Sequence, residues 1–160
     1  MITFSNDLTF DQVNARYRYD PDTGHVHSRH YKRPVGVDRG SGYISITINK
    51  KPYMAHRLAW LLTHGEWPEV EIDHINGDRA DNRIVNLRLA TRQQNMINRR
   101  THKSNKLGVK GVSQIKNRFR AQLWHCGKFV LNKSFATVEE ASAAYQAKAQ
   151  EVFGEWHRAA

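Results

Sequence analysis

Residues 100 to 108, RTHKSNKLG, hold no large apolar side chain except Leu107, and a stretch so polar and basic cannot enter a core. It divides the 160 residues into two parts, each of which must close a small core of its own. The expected organisation is a first unit over 1–100, a basic linker over 101–107 and a second unit over 108–160. A hydrophobic content of 39% is enough for two modest cores. The one cysteine, Cys126, supplies neither a disulfide nor a Cys-x-x-Cys zinc site, so packing must hold both units. No structural zinc is expected, a reducing compartment fits, and Cys126 itself reads as a small half-buried strand residue.

Charge is the next constraint. The formal net charge is +10, and between Asp81 and Glu139 there is no acidic residue. That interval holds Arg83, Arg88, Arg92, Arg99, Arg100, Lys103, Lys106, Lys110, Lys116, Arg118, Arg120, Lys128 and Lys133. These are 13 of the 25 basic residues, so the remainder, 12 basic against 15 acidic, has no excess. A positive field confined to one segment gathers phosphates, and duplex DNA is the expected partner. No protein partner is implied. The N-terminus has no basic region before an apolar run, and no apolar stretch approaches the ~20 residues of a membrane span. A soluble, cytoplasmic protein with no membrane partner is expected.

Periodicity and capping residues predict the elements. Thr9-Phe10-Asp11-Gln12 has the form of a capping box, with Phe10, Val13 and Tyr17 on one helical face. A turn follows at Pro21 to Gly24. Residues 42–48 alternate apolar and polar, and Asn49-Lys50-Lys51 turns them back into Tyr53-Met54-Ala55. A helix should run through Arg57 to Leu62 and stop at Gly65. Then come a strand ending in Ile72-Asp73-His74-Ile75, a polar loop from Asn76 to Arg83, a strand near 86–89, and a helix from Gln93 to about Arg99 behind the capping box Thr91 to Gln94. Beyond the linker, three strands (111–116, 119–125, 129–135) precede an alanine-rich helix behind Thr137, ended by Gly154. The fold class is α+β.

The segment EIDHINGDRADNRIVNLRLATRQQN holds the groups that phosphodiester hydrolysis needs. The reaction requires a base for water, a cation for the charge on phosphorus and the leaving oxygen, and a means of orienting both. His74 is the candidate base. Asp73 and Asn95 offer hard oxygen ligands suited to Mg2+ or Mn2+. Asn86 is expected to bond the other ring nitrogen of His74 and select its tautomer. Adjacent side chains on a strand point opposite ways, so Asp73 and His74 can serve one cleft only at a strand end. Turn chemistry would account for Asn76, Gly77, Asp78 and Asn82.

The wording DHINGDRADNRIVNLRLATRQQN resembles the HNH endonucleases of phages and mobile introns, which share the His-Me (ββα-metal) finger. The resemblance implies that Asp73 and Asn95 bind one divalent metal ion, that His74 is the general base and that Asn86 orients it. The last histidine of the motif's name is Asn95 here, the H-N-N variant, which lowers the expectation of zinc or nickel. GYISITINKKPYMAHRLAWLLTHGEWP is similar to the segment that supports the finger in phage relatives. His56 is expected to be hydrogen-bonded structure there or else a DNA contact. Residues 108–154 resemble the ethylene-response-factor type DNA-binding domain, chiefly through Ser134 to Ala141, although Ser113, Ile115 and Asn117 replace larger residues of that pattern. The second resemblance implies a DNA-binding sheet, with Lys110, Lys116, Arg118, Arg120, Trp124, Lys128 and Lys133 as the suited residues.

The reading is therefore a metal-dependent DNA endonuclease of phage or mobile-element type, in which the bacterial host's cytoplasm would be the place of action. Its rivals are a non-catalytic DNA-binding regulator on a nuclease scaffold and a protein that binds or cuts RNA.

Overall fold

The computed structural model describes residues 6–98, 101 and 105–156. The chain divides into two compact units, one ending at Asn95 and one starting at Met96. Both mix short helices with small antiparallel sheets.

In the first unit, the Thr9 hydroxyl accepts the Gln12 amide and the Gln12 side chain accepts the Thr9 amide, so α1 (Phe10–Asn14) opens with the capping box. The helix lasts little more than one turn. Tyr17, expected on its face, starts β1 (Tyr17–Tyr19), which pairs with β2 (Val26–Ser28) across the Pro21 to Gly24 turn. The run Tyr-Arg-Tyr favours a pleated surface over a helix, and its pairing with β2 decides the outcome.

A second sheet holds β3 (Val37–Asp38), β4 (Ile44–Ile48) and β5 (Lys51–Met54) in that order. Asn49 and Lys50, at φ 50° and 65°, make the two-residue turn between β4 and β5, whose left-handed pair matches the twist of the strands. The helix α2 (Ala55–His64) ends on Gly65 at φ 83°. Its Leu58 and Leu61 are wholly buried against Val13, Val26, Ile46, Ile48 and Tyr53. Each such leucine contributes about 1.5–3 kcal/mol of burial free energy.

The other side of α2 faces the next hairpin. Ala59 packs with Ile72 and Leu87, which joins β6 (Glu71–His74) and β7 (Leu87–Ala90) to the helix. Arg57, also buried, donates to the carbonyls of Pro68 and Val70 and so fixes the approach to β6. A short 3-10 turn over Ile84–Asn86 precedes β7, and α3 (Arg92–Ile97) follows behind the reciprocal Thr91–Gln94 cap. Strand, loop, strand and helix thus come in the expected order.

The second unit is a sheet in the order β10-β9-β8, made of β8 (Val112–Ile115), β9 (Arg118–His125) and β10 (Lys128–Phe135), covered by α4 (Val138–Phe153). Val112, Ala121 and Leu123 of the sheet pack on Ala141, Tyr145 and Ala149 of α4. Gly111 is required twice over: its φ is 69°, and a Cβ there would lie 1.9 Å from the Tyr145 ring. Cys126 is not in a strand. It sits exposed at φ 48° in the turn with Gly127, because a two-residue hairpin loop needs a left-handed pair there.

Candidate active site and nucleic-acid interface

His74 is the last residue of β6 and Asp73 the one before it, and each is only 4% exposed. In the antiparallel register Asp73 stands opposite Arg88 and His74 opposite Leu87. Directly opposed side chains share a face, so Arg88 meets the carboxylate: its Nε lies 3.0 Å and its terminal nitrogen 2.9 Å from Asp73 Oδ2. Arg88, expected at a phosphate, is held by Asp73 in the absence of DNA.

The imidazole of His74 packs against two aromatic rings, one from α2 and one from the residue before β4. The His56 ring stands edge-on at 5.1 Å between centroids, and Tyr43 lies 5.9 Å from His74 and 5.5 Å from His56. His56 is buried in α2, and its Nδ1 has no hydrogen-bond partner among the described residues. Burial, aided by the nearby His74 and Arg57, pushes the His56 pKa down to about 3. For His74, burial also lowers the pKa below the ordinary imidazole value, against a hydrogen bond to Asn82 and the field of Asp73 that act to raise it. Both rings are neutral at neutral pH, the state in which an imidazole accepts a proton.

The expected pairing of His74 with Asn86 gives way to a different partner. His74 Nε2 lies 3.1 Å from Asn82 Oδ1. Asn86 is committed to the loop: its Oδ1 accepts the Asn76 amide at 2.9 Å, its Nδ2 donates to the Asp81 carbonyl at 2.8 Å, and its own carbonyl accepts the Ile75 amide. The cause is the 3-10 turn, which starts at Ile84 and places Asn86 at the base of the loop. Asn82, set down from sequence as turn chemistry, is 3% exposed and belongs to the site. Tyr43 and Asn82 carry no sequence signal that separates them from a strand tyrosine and a turn asparagine.

Asn95 lies in α3, where its Nδ2 donates to Glu71 Oε2 at 2.9 Å and reaches the Ile72 carbonyl at 3.5 Å. It is thus pinned to β6 within one residue of Asp73. With Nδ2 donating, the carboxamide oxygen is the atom of Asn95 that could meet a cation. Two hard oxygens, one from β6 and one from α3, are a donor set that suits a cation keeping several waters and a substrate phosphate, as Mg2+ does. No cluster of three or more His, Cys, Asp or Glu side chains able to hold a metal occurs among the described residues.

The other basic residues are placed in several ways. Arg83 is tied to Asp81 through Nε at 2.8 Å and a terminal nitrogen at 2.7 Å, and this pairing holds the Asp81 carboxyl at about 2. Lys110 is half-buried and donates to the Ile97 carbonyl. Arg92 is exposed at the start of α3, and Arg99 and Arg100 lie outside the described residues.

In the second unit, Ala121 and Leu123 face α4, so alternation turns Arg118, Arg120, Gln122 and Trp124 to the opposite face. Trp124 is 57% exposed and meets Phe129 edge-on at 4.7 Å, which excludes it from the core. Arg118 donates to the Ser134 carbonyl at 3.0 Å. Lys116 is exposed in the turn before β9 at φ 53°. Lys128 and Lys133, named from sequence as suited to DNA, pair with His125 and Ala121 and so share the register side of α4. Lys128 takes that side from the hairpin register itself, and a bulge between Phe129 and Leu131 inverts the alternation beyond it and puts Lys133 there.

Residues 53–97 match the model of the HNH endonuclease family. The chain is 37% identical over 119 residues to an uncharacterized HNH endonuclease of Acanthamoeba polyphaga mimivirus, covering 72% of this chain and 61% of that protein. It is 39% identical over 70 residues to Protein 3.8 of Escherichia phage T7, covering 43% of this chain and 55% of that one. The chain therefore spans somewhat over half the length of these relatives. A solved structure entitled "DNA binding and cleavage by the HNH homing endonuclease I-HmuI" aligns at a TM-score of 0.44 and 20% identity, over 81% of this chain and 76% of that one. Residues 53–97, which include β6, its loop, β7 and α3, thus resemble the HNH endonuclease family, and the chain is similar over 72% of its length to one viral protein that carries that name.

Proposed function

We propose that this protein is a metal-dependent DNA endonuclease that hydrolyses phosphodiester bonds, with His74 as general base and Asp73 and Asn95 as ligands of one divalent cation, Mg2+ or Mn2+. The observation that carries the reading is the burial of a neutral imidazole at the end of β6, immediately after a carboxylate, on a strand to which the α3 asparagine is hydrogen-bonded at Ile72.

The chain's own groups divide the work. His74 takes the proton of the attacking water and is kept neutral for that purpose by His56 and Tyr43, which exclude solvent. Asn86 closes the loop between β6 and β7, so that the base sits on a fixed strand end. A cation held by Asp73 and Asn95 would supply charge stabilisation at the phosphate and the leaving oxygen. Arg88 would exchange Asp73 for a phosphate oxygen when DNA and cation arrive. Arg83 and Arg92 add positive charge to the first unit, Arg99 and Arg100 continue that charge in the sequence after α3, and Arg118, Arg120, Lys116 and Trp124 offer the second unit's sheet to duplex DNA as an ethylene-response-factor type module. Lys110, Lys128 and Lys133 add to its field from positions off that face.

The ion pair between Arg88 and Asp73 favours a second reading, a DNA-binding regulator in which a guanidinium stands permanently where a cation would bind. Incubation of the purified chain with a plasmid pool and Mg2+ or Mn2+, followed by mapping of the ends, separates the two. Ends bearing 5′-phosphate support the endonuclease. Protected, uncut DNA at every cation concentration supports the regulator.

A further inference from the structure

We infer that Asn82 is a positioning residue for the general base: by accepting the proton of His74 Nε2 it fixes the tautomer whose lone pair lies on Nδ1. The inference rests on the reading of His74 as the base, and goes beyond it by naming the residue that sets which nitrogen is basic.

A neutral imidazole carries its single proton on one nitrogen or the other, and the choice follows the hydrogen bond made by the protonated one. The carboxamide oxygen of Asn82 can only accept, and it lies 3.1 Å from Nε2. The proton is therefore on Nε2. Asn82 is almost fully buried, so water does not compete for the oxygen. The two rings that enclose His74, His56 and Tyr43, set its plane by packing and do not choose its tautomer.

Asn82 is itself held from behind by the β1–β2 hairpin. The Tyr19 hydroxyl donates to the Asn82 carbonyl at 2.9 Å and accepts the Ile84 amide at 2.8 Å, so one phenol clamps both sides of Arg83. Gly24, at φ 73°, presses on the same backbone: a Cβ there would stand 2.8 Å from the Asn82 carbonyl carbon and 2.5 Å from the Arg83 nitrogen. The N-terminal hairpin thus delivers a carboxamide to the base at a loop position that would otherwise have several conformations.

The test uses the full chain, the variants Asn82→Leu and Asn82→Asp, and His74→Gln to assign the His74 signals. Long-range proton–nitrogen spectra of the histidine-labelled protein, without metal or DNA at about pH 8.5, well above the ordinary imidazole range, report the tautomer. Single-turnover cleavage with Mg2+ and metal-free DNA binding are measured beside it. The expected wild-type signature is a protonated Nε2 and a bare Nδ1. Asn82→Leu should give a mixed or inverted tautomer and cut about 10–100-fold more slowly, with DNA affinity within about twofold. Asn82→Asp, which keeps the acceptor, should restore the signature and most of the rate. A wild-type tautomer in folded Asn82→Leu, or an inverted one in wild type, overturns the inference. Should Asn82→Leu fail to fold, a wild-type tautomer lost in Asn82→Asp overturns it equally. If the wild-type chain cuts nothing while the tautomer still depends on Asn82, the endonuclease reading falls and the role of Asn82 stands.

Discussion

The guanidinium of Arg88 lies 2.9 Å from Oδ2 of Asp73, and both side chains are largely buried. A cation bound by Asp73 must therefore compete with an arginine that the strand register places opposite it. Removing one partner of a buried ion pair leaves the other uncompensated, which costs several kcal/mol. Arg88→Met should lower the metal-free stability by about 2–4 kcal/mol, and millimolar Mn2+ should restore much of that loss while affecting wild type less. Thermal melts with and without Mn2+ check this. Equal responses of the two proteins to Mn2+ would show that Asp73 is not the ligand.

His56 makes stability depend on pH. Its folded pKa of about 3 lies below the unfolded value of 6.5, so between those limits the unfolded chain binds a proton that the folded chain refuses. The contribution is complete above about pH 6.5 and declines as pH falls toward 3, at up to about 1.4 kcal/mol per pH unit. Denaturant melts at several pH values should show His56→Leu with a shallower acid slope than wild type. Identical slopes would mean that His56 takes up a proton in the folded state.

In the second unit, Gly111→Ala combines a left-handed backbone with a ring at 1.9 Å, so Tyr145 or the strand must move. The expected loss is about 2–4 kcal/mol, seen as early melting of the second unit by hydrogen exchange in β8–β10 and α4. Unchanged protection there would show that the Gly111–Tyr145 packing is looser than described.

The bulge in β10 sorts the basic residues of the sheet. Arg120→Ala should reduce DNA affinity and lower the salt slope by about one unit, whereas Lys133→Ala, on the α4 side of the register, should do markedly less. Fluorescence anisotropy of labelled duplex across salt concentrations makes the comparison. A larger effect at Lys133 would place the DNA on the other side.

Much of this was legible in the sequence for local reasons. The caps at Thr9, Thr91 and Thr137 are read within four residues, and all three open helices where expected. Strand, loop, strand and helix around the Asp73-His74 pair follow from periodicity and turn residues alone. What escaped depends on contacts distant in sequence or on slips of a single residue. β1 replaced the end of a helix because β2 pairs with it. Asn82 and not Asn86 meets His74 because a 3-10 turn intervenes. One bulged residue moved Lys133 across the sheet. His56 and Tyr43 surround His74 from 18 and 31 positions upstream, a relation that no local pattern encodes.

The central claim is that His74 and Asp73 perform hydrolysis and do not merely support a DNA-binding surface. Cleavage of supercoiled plasmid by wild type, His74→Ala and Asp73→Ala, each at saturating Mg2+ or Mn2+ and with metal-free DNA binding measured in parallel, tests it directly. The account predicts nicked or linear product from wild type, a loss of at least about 1,000-fold in both variants, and retained binding in all three. Cleavage by His74→Ala at the wild-type rate, or wild-type protein that binds DNA and leaves it intact with either metal, would contradict it.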